Sequence, residues 1–183
     1  MPVVNRDVLT YMSIDTAIYK LQQDKKLFVI ASLFPGVSAV RDVLVSQQIW
    51  NLVGDESTPP EKLARVAGRA RSKLDNVIVA GKPLVFGLNP HHKSPTCLVA
   101  RVGPVHQCVV DVRITDPEPQ LRFFGCVAKQ DVLVLLRYSI RDDIDDFKSE
   151  ARTTRHAWDA LLPGHKPLIG TDHGEYFSNV IPG

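Results

Sequence analysis

The sequence predicts an α+β fold in which a helical hairpin and a C-terminal helix pack on a small antiparallel sheet. Three observations predict it. Residues 108–138 read CVVDVRI, a break at TDPEPQ, LRFFGCVA, a tight Lys129-Gln130, then DVLVLLRY. Apolar and β-branched runs separated by turn residues are the pattern of a three-stranded antiparallel meander. Two stretches with helical spacing, 38–53 and 59–74, precede the meander, and a third, 142–162, follows it. Finally, no internal repeat, low-complexity tract or interdomain linker breaks the 183 residues. One domain over 1–183 is therefore expected, with its core over 27–162 and a tail over 163–183.

Each element has its own local reason. In 13–24, Ile14, Ala17, Ile18 and Leu21 stand at helical spacing behind Ser13, a suitable N-cap. LFVIASLF (27–34) reads as a buried strand that Pro35-Gly36 stops. In 38–53, Ser38 supplies a cap, Val40, Val43 and Leu44 start an apolar stripe, and Gly54 ends the helix. Trp50 near that end reads as a core anchor. Thr58-Pro59-Pro60-Glu61 has the form of a capping box with proline in the first turn. Leu63, Val66, Ala67, Ala70 and Leu74 then form the buried face of the second helix.

VIVAG and PLVFGL suggest two short strands, NPHHKSP a loop and TCLVARV a further strand. In 142–162, Ile144, Phe147, Ala151, Thr154, Trp158 and Leu161 repeat at three- and four-residue spacing, a face suited to docking on a sheet. Aspartates crowd its start and Arg152, Arg155 and His156 follow, which complements the helix dipole without any functional cause. The tail PGHKPLIGTDHGEYFSNVIPG, rich in glycine and proline, is expected to wrap the surface.

Composition is that of an ordinary globular chain, 44% hydrophobic and 23% charged with a net charge of +2. The charge is unevenly spread. Residues 59–113 hold nine Lys/Arg against three Asp/Glu, a basic middle suited to local contact with a polyanion. Cys97, Cys108 and Cys126 are odd in number, widely spaced and set in apolar runs. They read as buried thiols of a reducing, cytoplasmic compartment, neither a disulfide framework nor a metal site. MPVVNRDVLT lacks a basic segment followed by an apolar run, so no secretory leader is expected, and no run is long enough to span a bilayer. His91-His92 has no acidic or cysteine partner at zinc-like spacing, and no metal or other cofactor is expected.

The meander carries the candidate site. With Lys129 and Gln130 as central turn residues, Ala128 faces Asp131, and Arg122 then faces Arg137. If Ile114 faces Leu121, Arg113 faces Arg122. Three guanidinium groups would lie side by side on one sheet face. Like charges directly opposite on a sheet cost up to about 1 kcal/mol per pair, and arginine does not lose its proton. The row therefore needs an anion. One reading is a phosphodiester, which arginine binds bidentately. Another is an internal acid, with Asp111 nearest on the same face. A third is a sheet edge whose long side chains splay into solvent. On the helix 59–74, Lys62, Arg65, Arg69 and Lys73 form a basic stripe, either a nucleic-acid backbone contact or a solvated face.

The order of elements and the meander motifs resemble the RelE/HigB-like toxin superfamily. VVDVRI is similar to that family's strand of an acid followed by arginine, with Asp111 and Arg113 in those places. LRFFG resembles the next strand, with Arg122 matching, and DVLVLLRYSIR the last, an apolar run leading to Arg137 and Arg141. Residues 98–150 carry the likeness. Residues 1–26, 77–95 and 163–183 are then extra segments, and Arg141-Asp142-Asp143 replaces the family's paired lysines.

The resemblance implies metal-independent cleavage of messenger RNA by attack of the ribose 2′-hydroxyl on the adjacent phosphate, with the ribosome and an antitoxin protein as the implied partners. Arg113, Arg122 and Arg137 would stabilise the phosphoryl charge. A general acid and base are also needed. His173, beside Asp172, is the first candidate, with Tyr138, His156, His165 and Tyr176 as others. Lys62, Arg65, Arg69, Lys73 and Arg141 would contact RNA. The alternative is a non-catalytic module that holds nucleic acid or a partner on the same scaffold. A further alternative is a structural protein whose arginines pair with Asp111 and Asp131. Walker, dinucleotide, GxSxG, CxxC and HExxH motifs are absent from the sequence.

Overall fold

The computed structural model describes residues 12–79 and 82–183. The elements in chain order are α1 (Ile14–Gln23), β1 (Leu27–Val29), β2 (Asp42–Ser46), α2 (Gln47–Val53), α3 (Glu61–Ile78), β3 (Leu84–Gly87), β4 (Val99–Arg101), β5 (Val109–Ile114), β6 (Leu121–Lys129), β7 (Val132–Ile140), α4 (Phe147–Leu161), α5 (His173–Tyr176) and β8 (Val180–Pro182). Single 3-10 turns lie at Val105–Gln107 and Arg141–Asp143. All eight strands form one sheet in the order β1-β2-β7-β6-β5-β4-β3-β8. The β2–β7, β3–β4 and β3–β8 pairs are parallel, and the other pairs are antiparallel. The α+β class is as expected. The small antiparallel sheet is corrected to a wide mixed one.

The difference has local causes. The expected helix 38–53 is a strand followed by a short helix. Val43 and Val45 enter one core and Leu44 the other, so this run is buried on both faces of β2. A short apolar run fits helical and strand templates equally, and only burial on both sides decides it. Strand 27–34 shortens to β1. VIVAG does not form a strand, because α3 runs on to Ile78 and Val79 makes only an isolated bridge to Ala39. Ala80 and Gly81 of that run lie outside the described residues, as does the MPVVNRDVLT segment. The tail does more than wrap the surface. Tyr176 and Phe177 are core residues, and β8 extends the sheet beside β3.

Two apolar cores flank the sheet. On one face α2 and α3 place Leu52, Leu63, Val66, Ala70 and Leu74 against Val43, Val45, Phe123, Leu133 and Leu135. On the other, α1 and α4 place Ile18, Leu21, Ala151 and Trp158 against Leu44, Phe124, Cys126 and Val134. Each buried side chain of this size contributes about 1.5–3 kcal/mol. Trp50 is half-buried at the margin of the first core rather than anchoring it, and stacks on Phe28 with ring centroids 5.1 Å apart.

Ser13 caps α1 by accepting from the Thr16 N–H, and Asp146 caps α4 by accepting from Lys148 and Ser149. Thr58 does not cap α3. Pro59-Pro60 holds the chain extended, so the helix starts at Glu61 with Pro60 at its cap and no side-chain bond. No helix among the described residues is long and apolar enough to cross a membrane.

Arg41 ties three remote segments together. Its buried guanidinium donates to the carbonyls of Val77 (2.9 Å), Asn179 (2.9 Å) and Ser178, and pairs with Asp131 at 3.6 Å. That contact clamps the end of α3, the β6–β7 turn and the tail.

The centre of the meander depends on Gly125. A β-bulge falls between Phe124 and Gly125, and a Cβ at Gly125 would lie 2.0 Å from the Val134 carbonyl oxygen and 2.8 Å from Leu135 Cα. Backbone atoms cannot step aside there. Gly68, within α3, has no heavy atom within 4 Å of its would-be Cβ. Gly125→Ala is expected to lose about 3 kcal/mol or more of stability through overpacking, while Gly68→Ala gains about 0.5–1 kcal/mol of helix propensity. Urea denaturation of the two variants checks both signs.

Candidate functional site

Strand alternation divides β5 between the two cores. Val110, Val112 and Ile114 point to the α2–α3 side, which leaves Val109, Asp111 and Arg113 on the α4 side. Arg113 pairs with Arg122 in the register, as the sequence predicts. Arg122 does not face Arg137. It faces Ser139, and Arg137 faces Phe124. The β6–β7 turn lies one residue later than expected, at Gln130-Asp131, with Asp131 at a left-handed φ of 63°, a conformation aspartate tolerates well. Two register irregularities follow, one on each strand, and offset each other. The displaced turn therefore decides which residue meets Arg122.

The three arginines share the α4 side but have different partners. Arg137 pairs with Glu150 of α4 at 3.8 Å. Arg122 Nε lies 3.6 Å from Asp111 Oδ2. Arg113 Nη1 donates to the carbonyls of Ser94 (3.1 Å) and Cys97 (3.4 Å). Asp131 pairs with Arg41 and not with this row.

The register also aligns Gly87, Ala100, Asp111 and Phe124 across β3, β4, β5 and β6. The first two residues have almost no side chain, so the sheet surface beside Asp111 is shallow. Cys97 Sγ occupies most of the space over Gly87, 2.9 Å from where a Cβ would stand, and Lys93 lies beyond it. The Lys93 Cγ is 3.6 Å from where that Cβ on Gly87 would stand. The aliphatic stem thus passes near β3, and the ammonium is an electrostatic neighbour of Asp111.

Burial dominates the electrostatics. Asp111 is 2 % exposed and Arg122 is 6 % exposed. Burial pushes the Asp111 carboxyl above its usual range, opposed by Lys93, Arg122 and Arg113 in that order. Burial also lowers Lys93, with Asp111 opposing and Arg113 and Arg122 adding to the effect. Desolvation lowers Arg122, although guanidinium remains charged. Asp111 Oδ1 and Arg122 Nη1 are buried with no hydrogen-bond partner. Unmade bonds of this kind cost about 1–3 kcal/mol each.

Lys93 also lines an open cleft of about 440 Å³ bounded by Pro90, His91, Val102, Gly103 and Phe147. Arg141 lies over the Phe147 ring, 5.1 Å from its centroid, and is an electrostatic neighbour of Arg122. The fold thus gathers Arg113, Arg122 and Lys93 around Asp111, with Arg141 beside Arg122.

It does not gather the rest. His173, at the start of α5, meets Phe86 edge-on at 5.9 Å, and Phe86 belongs to the α2–α3 core. His173 is therefore on the opposite side of the sheet from the arginines. Lys62, Arg65, Arg69 and Lys73 lie on α3, also on that opposite side, with Arg69 paired to Asp116 at 3.3 Å. Lys93 and the cleft escaped sequence reasoning. The signal was Gly87 within a strand run, which marks close approach of another chain segment, but its partner requires the sheet order. Comparison with protein-family models, curated proteins and solved structures found no match.

Removing one member of the buried pair should expose its dependence on the other. Arg122→Met is expected to cost about 3–5 kcal/mol by stranding Asp111. Adding Asp111→Leu to it should recover a large part of that loss, measured as a double-mutant cycle in urea. Additive losses would show that the two groups do not act as a pair.

Proposed function

We propose that the protein binds a small ligand carrying a phosphate or carboxylate group, held beside Lys93 with Arg113 and Arg122. The observation that supports this most strongly is the charge imbalance around Asp111. One buried carboxylate faces two permanently charged guanidinium groups and an ammonium, and one N–H-bearing nitrogen of Arg122 has no acceptor. Protonating Asp111 enlarges the imbalance, and deprotonating Lys93 does not remove it. An anion bound beside Lys93, the member of this group that lines the cleft, would bring negative charge to the cluster.

Size and placement favour a small ligand over a polymer. A cleft of about 440 Å³ falls within the range of roughly 300–1,000 Å³ typical of small-molecule sites. The α3 stripe lies on the other side of the sheet, so the two basic features do not form one continuous track for RNA. The cleavage chemistry implied by the toxin resemblance would also need a base and an acid beside the arginines, and its first candidate, His173, lies across the sheet from them. Binding without RNA cleavage is therefore the reading we adopt.

Calorimetric titration with pyrophosphate at low salt tests it. The parent protein should bind one equivalent, and Lys93→Gln with Arg113→Gln should weaken affinity at least about tenfold, or 1.4 kcal/mol. Unchanged affinity in the folded double variant would overturn the assignment. Preferential binding of single-stranded RNA, lost on changing Lys62 and Arg65, would favour the RNA reading in its place.

A further inference from the structure

We propose that two copies of this chain pair antiparallel through β1 about a two-fold axis, so that their sheets continue as one. The inference is independent of the anion site, which lies on other strands.

The β1 edge is open. Among the described residues, β1 and β8 are the outer strands of the sheet. Ile30 donates its N–H to the Val43 carbonyl at 2.9 Å, and the register sets Phe28 against Val45. Backbone bonding alternates in direction along an antiparallel strand. Phe28 and Ile30 therefore bond to β2, and the N–H and C=O groups of Leu27 and Val29 point outward. The β8 edge differs. Leu84 donates to the Asn179 carbonyl and Gly183 to the Phe86 carbonyl, which leaves Val180 and Pro182 in the outward positions. Proline has no N–H to offer there, a common way to blunt an edge.

The surface that adjoins the open edge is apolar. Val29, Leu33, Phe34, Val37 and Val40 are each between 38% and 55% exposed, and residues 27–40 contain no charged side chain. Single exposed apolar residues are ordinary, but a run of them beside an unpaired strand marks a contact surface.

A second copy suits this edge for three reasons. First, an axis through Phe28 pairs Leu27 of each copy with Val29 of the other. Each such pair exchanges two backbone bonds, so every outward group on the two strands finds a partner. The same axis sets the two Phe28 rings, each stacked on its own Trp50, as a cross-strand aromatic pair. Second, the charges fit. Asp24, Lys25 and Lys26 of one copy fall toward the uncharged 30–32 of the other, and the lysines of the two copies stay at opposite ends. A parallel pairing would set them side by side, which is unfavourable. Third, the area suffices. At their exposures Val29, Leu33, Phe34 and Val37 present roughly 300 Å² per copy, taking a fully exposed side chain of this size as about 150–200 Å². Two copies supply about 600 Å², half of the roughly 1,200 Å² at which specific interfaces begin. The paired strand edges, Pro35 and the lysine stems provide the other half.

Sedimentation of the full chain from about 1 to 200 µM, with amide hydrogen exchange at both ends of that range, tests the pairing. The weight-average mass should double, and the Leu27 and Val29 amides should become protected as it does. Val29→Lys, at an exposed position and shown folded by circular dichroism, should raise the midpoint concentration at least about tenfold. A monomer throughout would overturn the proposal. So would equal protection of the two amides at both concentrations, which would place another segment of the same chain on the edge. A dimer that leaves those amides exchanging freely, or that Val29→Lys does not weaken, would also overturn it by locating the interface elsewhere.

Discussion

A carboxylate buried among more cations than it can neutralise is the constraint on which this account depends. Asp111 sits on the fifth strand of an eight-stranded sheet with 2 % of its surface exposed. Arg122 Nε lies 3.6 Å from one carboxylate oxygen, and the other has no hydrogen-bond partner. Buried pairs of this kind seldom add net stability, since desolvation offsets the attraction. The pair is therefore poorly explained as a device for holding the fold together. The two apolar cores already do that, and the Arg41 clamp secures the tail.

The scaffold makes room for the charges by omission. Gly87 and Ala100 leave the sheet shallow beside Asp111, and α4 covers the neighbouring strands through Phe124, Cys126 and Trp158. Between those two regions the segment 88–98 folds back, bringing Lys93 near the charges and placing the Ser94 and Cys97 carbonyls to accept from Arg113. Sheet position, loop path and helix coverage converge on one spot. Such convergence of titratable groups beside a cleft is a physical mark of a binding or reactive site, because each group carries a cost that packing alone does not require.

Much of the meander was legible from residues alone. Alternation placed Arg113 opposite Arg122 and put Asp111 on the same face, local capping chemistry located α1, and three- and four-residue spacing located α4, which starts at Phe147 rather than 142 because Arg141–Asp143 form a 3-10 turn. What failed did so for physical reasons. The left-handed Asp131 moved the turn by one residue and separated Arg122 from Arg137. Val43-Leu44-Val45 fitted a helix and a strand equally until burial on both faces decided. The wide sheet arises from three short strands, β3, β4 and β8, brought together from remote parts of the chain, and no local pattern announces such pairings. Lys93 was hidden for the same reason: its role depends on the row formed by Gly87, Ala100 and Asp111, three residues drawn from three separate strands.

The most direct test follows the guanidinium groups themselves. In a protein labelled with nitrogen-15 at arginine, the Nε–H resonances can be recorded while pyrophosphate is added at constant ionic strength. The account predicts saturable shifts for Arg113 and Arg122 with a common midpoint, and little change for Arg69, which lies on α3 across the sheet. Uniform small shifts across all arginines, or none at Arg113 and Arg122, would contradict it.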